Sequence, residues 1–265
     1  MVTCLSNLYS VLSYIGIIGF FAIAIAVFKT KRSLFRGVFL SAASGLAAFV
    51  FSVMEYNVRT GENIIDLFIN EQFTSLSKVI GSMGSDALSS TYGISTEEML
   101  ESLNSVREMY SLVFPSVIVL TSLFLSFVFY MFVKTILRIM QKDVSAFTDF
   151  IDMRMPKSSV LVLVICMIVS AVSDGAAGSI CLNIVLVITS IMSLCGFAYV
   201  LYWLKMRVKT PFLRALSYTG AVFAVIVFFN FALYILSMIS IADTFLDLRN
   251  KRSKGGFDEQ TREEQ

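Results

Sequence analysis

Apolar residues run unbroken by charge over six stretches of this chain, at 9–28, 37–54, 111–133, 158–173, 175–204 and 215–242. A helix needs about 20 mostly apolar residues to cross a bilayer. An Asp, Lys or Arg at its centre costs roughly 2.5–3.5 kcal/mol on insertion scales. A helix from a soluble core would carry a polar stripe on its outer side, and these stretches carry none. The pattern predicts an all-α fold, a polytopic membrane helical bundle of about six transmembrane helices. The stretch at 158–173 is short, which tilt or local thinning of the bilayer accommodates.

The connections carry their own periodicity. In the long connection 55–110, Ile65, Phe68, Ile69, Leu76, Val79 and Ile80 fall near one helical stripe, which Gly81, Gly84 and the serine-rich stretch through Gly93 break. Ser95-Thr96-Glu97-Glu98 then has the spacing of a capping box, with Met99, Leu103, Val106 and Tyr110 following at helical intervals. These two amphipathic segments are expected to form an extracytoplasmic helical cap over 55–110, on the membrane surface or over the bundle. The second is expected to run into the third span, with Pro115 near its first turn or kinking it. After the third span, Ile136, Ile139, Met140 and Phe147 predict a basic amphipathic helix ended by Pro156. Asp174-Gly175 predicts a tight turn. The membrane domain is read as 1–252, and the polar stretch 253–265 as a disordered tail.

Composition agrees, with 57% hydrophobic and 15% charged residues against about 25% charged in a soluble domain. In 265 residues the spans and their loops leave no room for a separate soluble domain of ordinary size. The net charge of +2 says little, but its distribution orients the chain. Lys29, Lys31, Arg32 and Arg36 follow the first span; Lys134, Arg138, Lys142, Arg154 and Lys157 follow the third; Lys205, Arg207, Lys209 and Arg214 follow the fifth. These loops should be cytoplasmic by the positive-inside tendency. The connection 55–110 is acidic, and alternation then puts the N-terminus outside. Alternation over six spans also puts the C-terminus outside, against the basic residues Arg249, Lys251, Arg252 and Lys254 that follow the last one. The expected setting is a lipid bilayer, and no segment suggests nucleic-acid binding.

Small residues recur at helical spacing. Gly37, Ser41 and Gly45 in the second run and Gly16 and Gly19 in the first predict a closely packed helical hairpin, or a substrate lining built from glycine backbone. Catalytic chemistry is hard to assemble. Histidine is absent, the four cysteines are scattered, and every charged residue fits a loop or a span edge. The expectation is a non-enzymatic protein with no cofactor and no metal site. The polar groups left at depth are few. Asn183 and Asn230 can bridge helices by hydrogen bonds or contact a ligand, and Glu55 can form a polar lip at an outer edge. A substrate site is therefore expected in the outer half, near Glu55 and Asn183 and under the cap.

Several short elements resemble a known family. The run Phe150-Ile151-Asp152-Met153-Arg154-Met155-Pro156-Lys157 resembles the aromatic–Arg–x–Pro element of the YybS-like bacterial membrane proteins, carried here by Arg154 and Pro156. Asn183 and Gly196-Phe197-Ala198 fall where that family has an Asn and a Gly. The run Asp243-Thr244-Phe245-Leu246-Asp247-Leu248-Arg249 resembles its closing Asp–aromatic–Asp–Arg element, through Asp243, Asp247 and Arg249. The resemblance extends from the first span to Arg252. It implies a core similar to the S components of energy-coupling-factor vitamin transporters, where a Gly-rich span ending in Lys is a familiar feature. Members of that family begin with further hydrophobic helices not evident here, which implies a short form or a fragment. The helix that docks a coupling subunit is among them. The resemblance thus implies binding or transport of a small molecule. The alternative is a structural or assembly protein whose outer cap or basic inner helix engages a membrane protein partner.

Overall fold

The computed structural model describes residues 2–29, 34–82, 95–141, 149–173 and 175–249. Every regular element among the described residues is helical: α1 (Val2–Lys29), α2 (Leu34–Thr60), α3 (Ile64–Ser82), α4 (Thr96–Ile139), a 3-10 turn (Phe150–Asp152), α5 (Lys157–Val172), α6 (Ala176–Arg207), α7 (Pro211–Val227) and α8 (Phe229–Leu246). Stretches in α1, α2, α4 and α6 are long and apolar enough to cross a membrane, while α5, α7 and α8 are shorter apolar helices. Large apolar side chains such as Ile18, Phe124 and Phe223 face outward, as suits a protein whose solvent is lipid. The molecule is a helical membrane bundle. Gly84, Gly93, Lys142, Phe147, Asp174 and the tail 253–265 lie outside the described residues. The chain forms two compact units, Met1–Thr30 with Arg36–Ile136, and Lys31–Phe35 with Leu137–Gln265.

In the first unit the small-residue stripes bring α1 and α2 together. A Cβ on Gly16 would lie 2.8 Å from the Ala48 Cβ, and one on Gly19 would lie 2.5 Å from Ser44 Oγ. Ser44 donates to the Gly16 carbonyl at 2.8 Å, and the Ser13 and Ser52 hydroxyls share a 2.6 Å hydrogen bond. Such close backbone approach lets dispersion and short polar contacts replace the hydrophobic drive that lipid removes. α4 joins through Ser122, which donates to the Ala42 carbonyl at 2.8 Å, and through Phe129 against Phe20 and Phe21.

The described parts of the connection 55–110 are mostly helical. Gly61, at φ +77°, turns the chain, and the Asn57 side chain accepts the Ile64 N–H to cap α3. The capping box forms as the spacing predicts. Ser95 N–H donates to Glu98 Oε2 at 2.8 Å while Glu98 N–H donates to Ser95 Oγ at 3.2 Å. The Ser95 N–H and hydroxyl, both donating to Glu98 Oε2, hold the Glu98 carboxyl below its ordinary range. The 44 residues of α4 span about 66 Å at 1.5 Å per residue, roughly twice the ~30 Å hydrocarbon core. Pro115 is carried inside this one helix. α3 pairs antiparallel with its outer half: Phe68 lies beside Phe114, Phe73 beside Tyr110, and Arg107 donates to Asn70 Oδ1. Of the α3 stripe, Ile69 and Ile80 are buried, while Phe68, Leu76 and Val79 stay about half exposed. At its other end α4 stops at Ile139, with Gln141 at φ 54°, short of the helix expected as far as Pro156.

In the second unit α5 and α6 form a tight antiparallel pair. Gly175, at φ +81°, makes the turn, and Gly178 sits directly against the Ser173 carbonyl. The core lies along α6, at Ile191, Met192, Cys195 and Ala198. α8 packs on the same face, with Gly196 against the Leu236 carbonyl and Ser193 Oγ donating to Leu233 O at 2.6 Å. The run 215–242, expected as one span, is divided. Phe228 at φ −105°, ψ 34° ends α7 and starts α8.

Candidate functional site

Two arrangements stand out, one in each unit. The first is a groove of about 630 Å³ formed by α1, α2, α3 and α4. Phe20, Phe49, Val53, Val117, Ile118 and Leu125 line its walls, and Ile64, Ile65 and Phe68 of α3 lie at its outer end. Gly45 opens the floor, because a Cβ there would stand 3.2 Å from Phe20 and 3.3 Å from Ser122 Oγ. Thr121 and Ser122 supply the only polar side chains of the lining, and both hydroxyls are spent on carbonyls, those of Val117 and Ala42. Neither hydroxyl has a hydrogen left to donate to a ligand, and the other described side chains of the lining are apolar. The volume falls within the ~300–1,000 Å³ usual for small-molecule sites.

The second arrangement gathers the short elements singled out in the sequence. Arg249 is buried over the rings of Tyr199 and Tyr202, its Cζ 5.5 Å from each centroid. Its Nη1 donates to the Ile151 carbonyl, and its Nη2 to Met153 O at 3.2 Å and Cys195 O at 3.5 Å. Its Nε lies 2.9 Å from Asp243 Oδ2 as an ion pair, out of line for a hydrogen bond. A planar five-donor fork suits this task, since one side chain ties α8 to α6 and to the turn before α5. Asp247, in the left-handed conformation that ends α8, pairs with Arg154 at 2.8 Å. A double ion-pair lock results: Arg154 and Asp247, 93 positions apart, form its half-exposed pair, and Arg249 of the buried pair with Asp243 reaches the distant Ile151 and Met153 carbonyls. Pro156 caps the N-terminus of α5 beside it.

The other expected residues are placed as follows. Glu55 is half-buried near the outer end of α2 and does not line the groove. Asn183 lies on α6 in the other unit, its side-chain amide donating to Ser179 O at 2.9 Å. The Asn230 side chain lies outside the described residues. Gly16, Gly19 and Gly45 make close contacts between helices. Ser41 is buried and bonds within α2, to the carbonyls of Gly37 and Val38. Sequence reasoning missed the groove lining, because groove and core side chains are equally apolar.

A family model described as "Predicted membrane protein (DUF2232)" matches residues 1–244. The chain belongs to that family. The DUF2232 match ends just past Asp243, so Asp247 and Arg249 of the lock follow it. No curated protein matches the chain. No solved structure matches it either.

Proposed function

We propose that this DUF2232 protein is a non-enzymatic membrane protein that binds an apolar small molecule, or the apolar chain of a lipid, in the groove of its first unit. The observation that carries this reading is the groove's lining, in which the two hydroxyls are already used internally. An occupant reaches such a site from the bilayer, and Ile64, Ile65 and Phe68 of α3 border one end of it. This narrows the expected small-molecule role, which the resemblance to YybS-like proteins and S components also implies, from a polar ligand near Glu55 and Asn183 to an apolar one.

Native mass spectrometry of the protein purified in a delipidating detergent tests the proposal. The wild type should retain one apolar or acyl-chain molecule, and Val117→Trp, which fills the groove, should lose it. Absence of any bound molecule, or equal retention in a folded Val117→Trp, overturns the reading.

A second reading, a scaffold engaging a protein partner, is favoured by one observation. Leu76, Val79, Val106 and Met109 stay largely exposed on the outer parts of α3 and α4. Under that reading Leu76→Glu with Val79→Glu leaves ligand retention unchanged but abolishes co-purification of a membrane partner.

A further inference from the structure

We infer that the chain enters and leaves the α7–α8 segment on one face of the membrane, so that the polypeptide following Arg249 lies on the same side as the basic loop 205–214. The register of α8 on α6 decides this. Ser193 bonds to Leu233 and Gly196 sits on Leu236, so the α8 partner advances by three as α6 advances by three. In an antiparallel pair it would fall as the other rose. α8 therefore runs in the direction of α6, toward the end where α6 finishes at Arg207. Pro211 begins α7 at that same end, with only three residues between, so α7 has to carry the chain back before α8 returns it. Arg249 marks the arrival point, since it reaches Tyr199, Tyr202 and the carbonyls of Ile151 and Met153, just before α5 begins at Lys157.

Lengths allow it. α7 and α8, with 17 and 18 residues, are about 26 Å long each, close to the 16-residue α5 at about 24 Å. Helices of this length cross a slightly thinned core or form a hairpin that stops short of the far side. In either case the number of crossings between 207 and 249 is even. Charge gives an independent reason. Arg249, Lys251, Arg252 and Lys254 fall within six residues without an acid among them. One crossing would put them opposite the basic loops, whereas two or none puts them alongside. The outside position that alternation over six spans assigns to the C-terminus is replaced by the side of the basic loops.

The test compares two single cysteines in the full-length Cys4→Ser protein, Lys209→Cys and Ser253→Cys. A membrane-impermeant maleimide is applied to intact and to permeabilised cells, with the parent, whose remaining cysteines lie in α5 and α6, as the blank. Both positions should share one pattern, with labelling only after permeabilisation. Labelling of position 253 in intact cells with position 209 protected would overturn the inference. Fusions after Gln265 give a second reading, with a fluorescent protein that folds only in the cytoplasm expected to be bright and alkaline phosphatase inactive. An active phosphatase fusion, with position 209 protected in intact cells, would equally refute it.

Discussion

Removing Arg249 should be among the most damaging single changes to the second unit. Arg249→Ala leaves Asp243 at 5% side-chain exposure with its counter-charge gone, while Asp243 Oδ1 already takes no hydrogen bond among the described residues. Truncating one partner of a buried ion pair costs about 3–5 kcal/mol, chiefly from the charge left behind. The carbonyls of Ile151, Met153 and Cys195 lose a shared donor as well. In detergent, this corresponds to a fall in Tm of roughly 10 °C for a unit of this size. Arg154→Ala is the internal control. Its pair with Asp247 is 40% and 49% exposed, so its removal should cost less than about 1 kcal/mol. Asp243→Ala combined with Arg249→Met should recover part of the loss, because no uncompensated charge remains. Arg249→Lys should not restore the wild type, since an ammonium cannot span three carbonyls and two rings. The readout is thermal unfolding of the four purified variants under one detergent condition. Equal stability of Arg249→Ala and Arg154→Ala would refute the reasoning, as would a double variant no better than Arg249→Ala.

Gly196→Ala puts a Cβ into the Leu236 carbonyl group, 2.6 Å from its carbon, where no flexible side chain can yield. It should cost about 1–3 kcal/mol in thermal unfolding, whereas Gly220→Ala, facing open space, should be neutral or stabilising. Gly45→Leu should lower thermal stability by a similar amount, about 1–3 kcal/mol, because its Cβ already meets Phe20 and Ser122, while Ala→Leu on a lipid-facing surface should not. Glu98 is a carboxylate with a depressed folded pKa, so its contribution to the α4 N-terminus is present at neutral pH and is lost as pH falls through that value. Amides of 96–99 should therefore exchange faster in mild acid relative to neutral pH, after correction for intrinsic rates, and Glu98→Gln should lose that dependence.

Much of the architecture was legible locally. Uninterrupted apolar runs marked the membrane helices because lipid tolerates no charge at depth, and that constraint acts residue by residue. The capping box at Ser95 and Glu98 and the continuation of the second outer segment into the third span depend only on near neighbours, and both form. The small residues of the first two runs announced close packing for the same reason. The division of 215–242 left no such mark. Phe228 is neither Gly nor Pro, and its flanks are as apolar as any span. A 28-residue run is about 42 Å of helix, longer than a ~30 Å core requires, and that surplus was the one available hint.

By itself the sequence determined that this is a helical membrane protein, which segments are apolar and where its charges fall. The tertiary structure decided how the segments meet. Arg249, paired with its near neighbour Asp243, grips the turn before α5 because α8 lies parallel to α6, a register no local pattern encodes. The groove exists because Gly45 faces Phe20 and Ser122 while α3 returns over its outer end, and any one of those helices read alone shows only an apolar face. Local chemistry sets what a segment can be. Which surface it finds is a property of the packed whole.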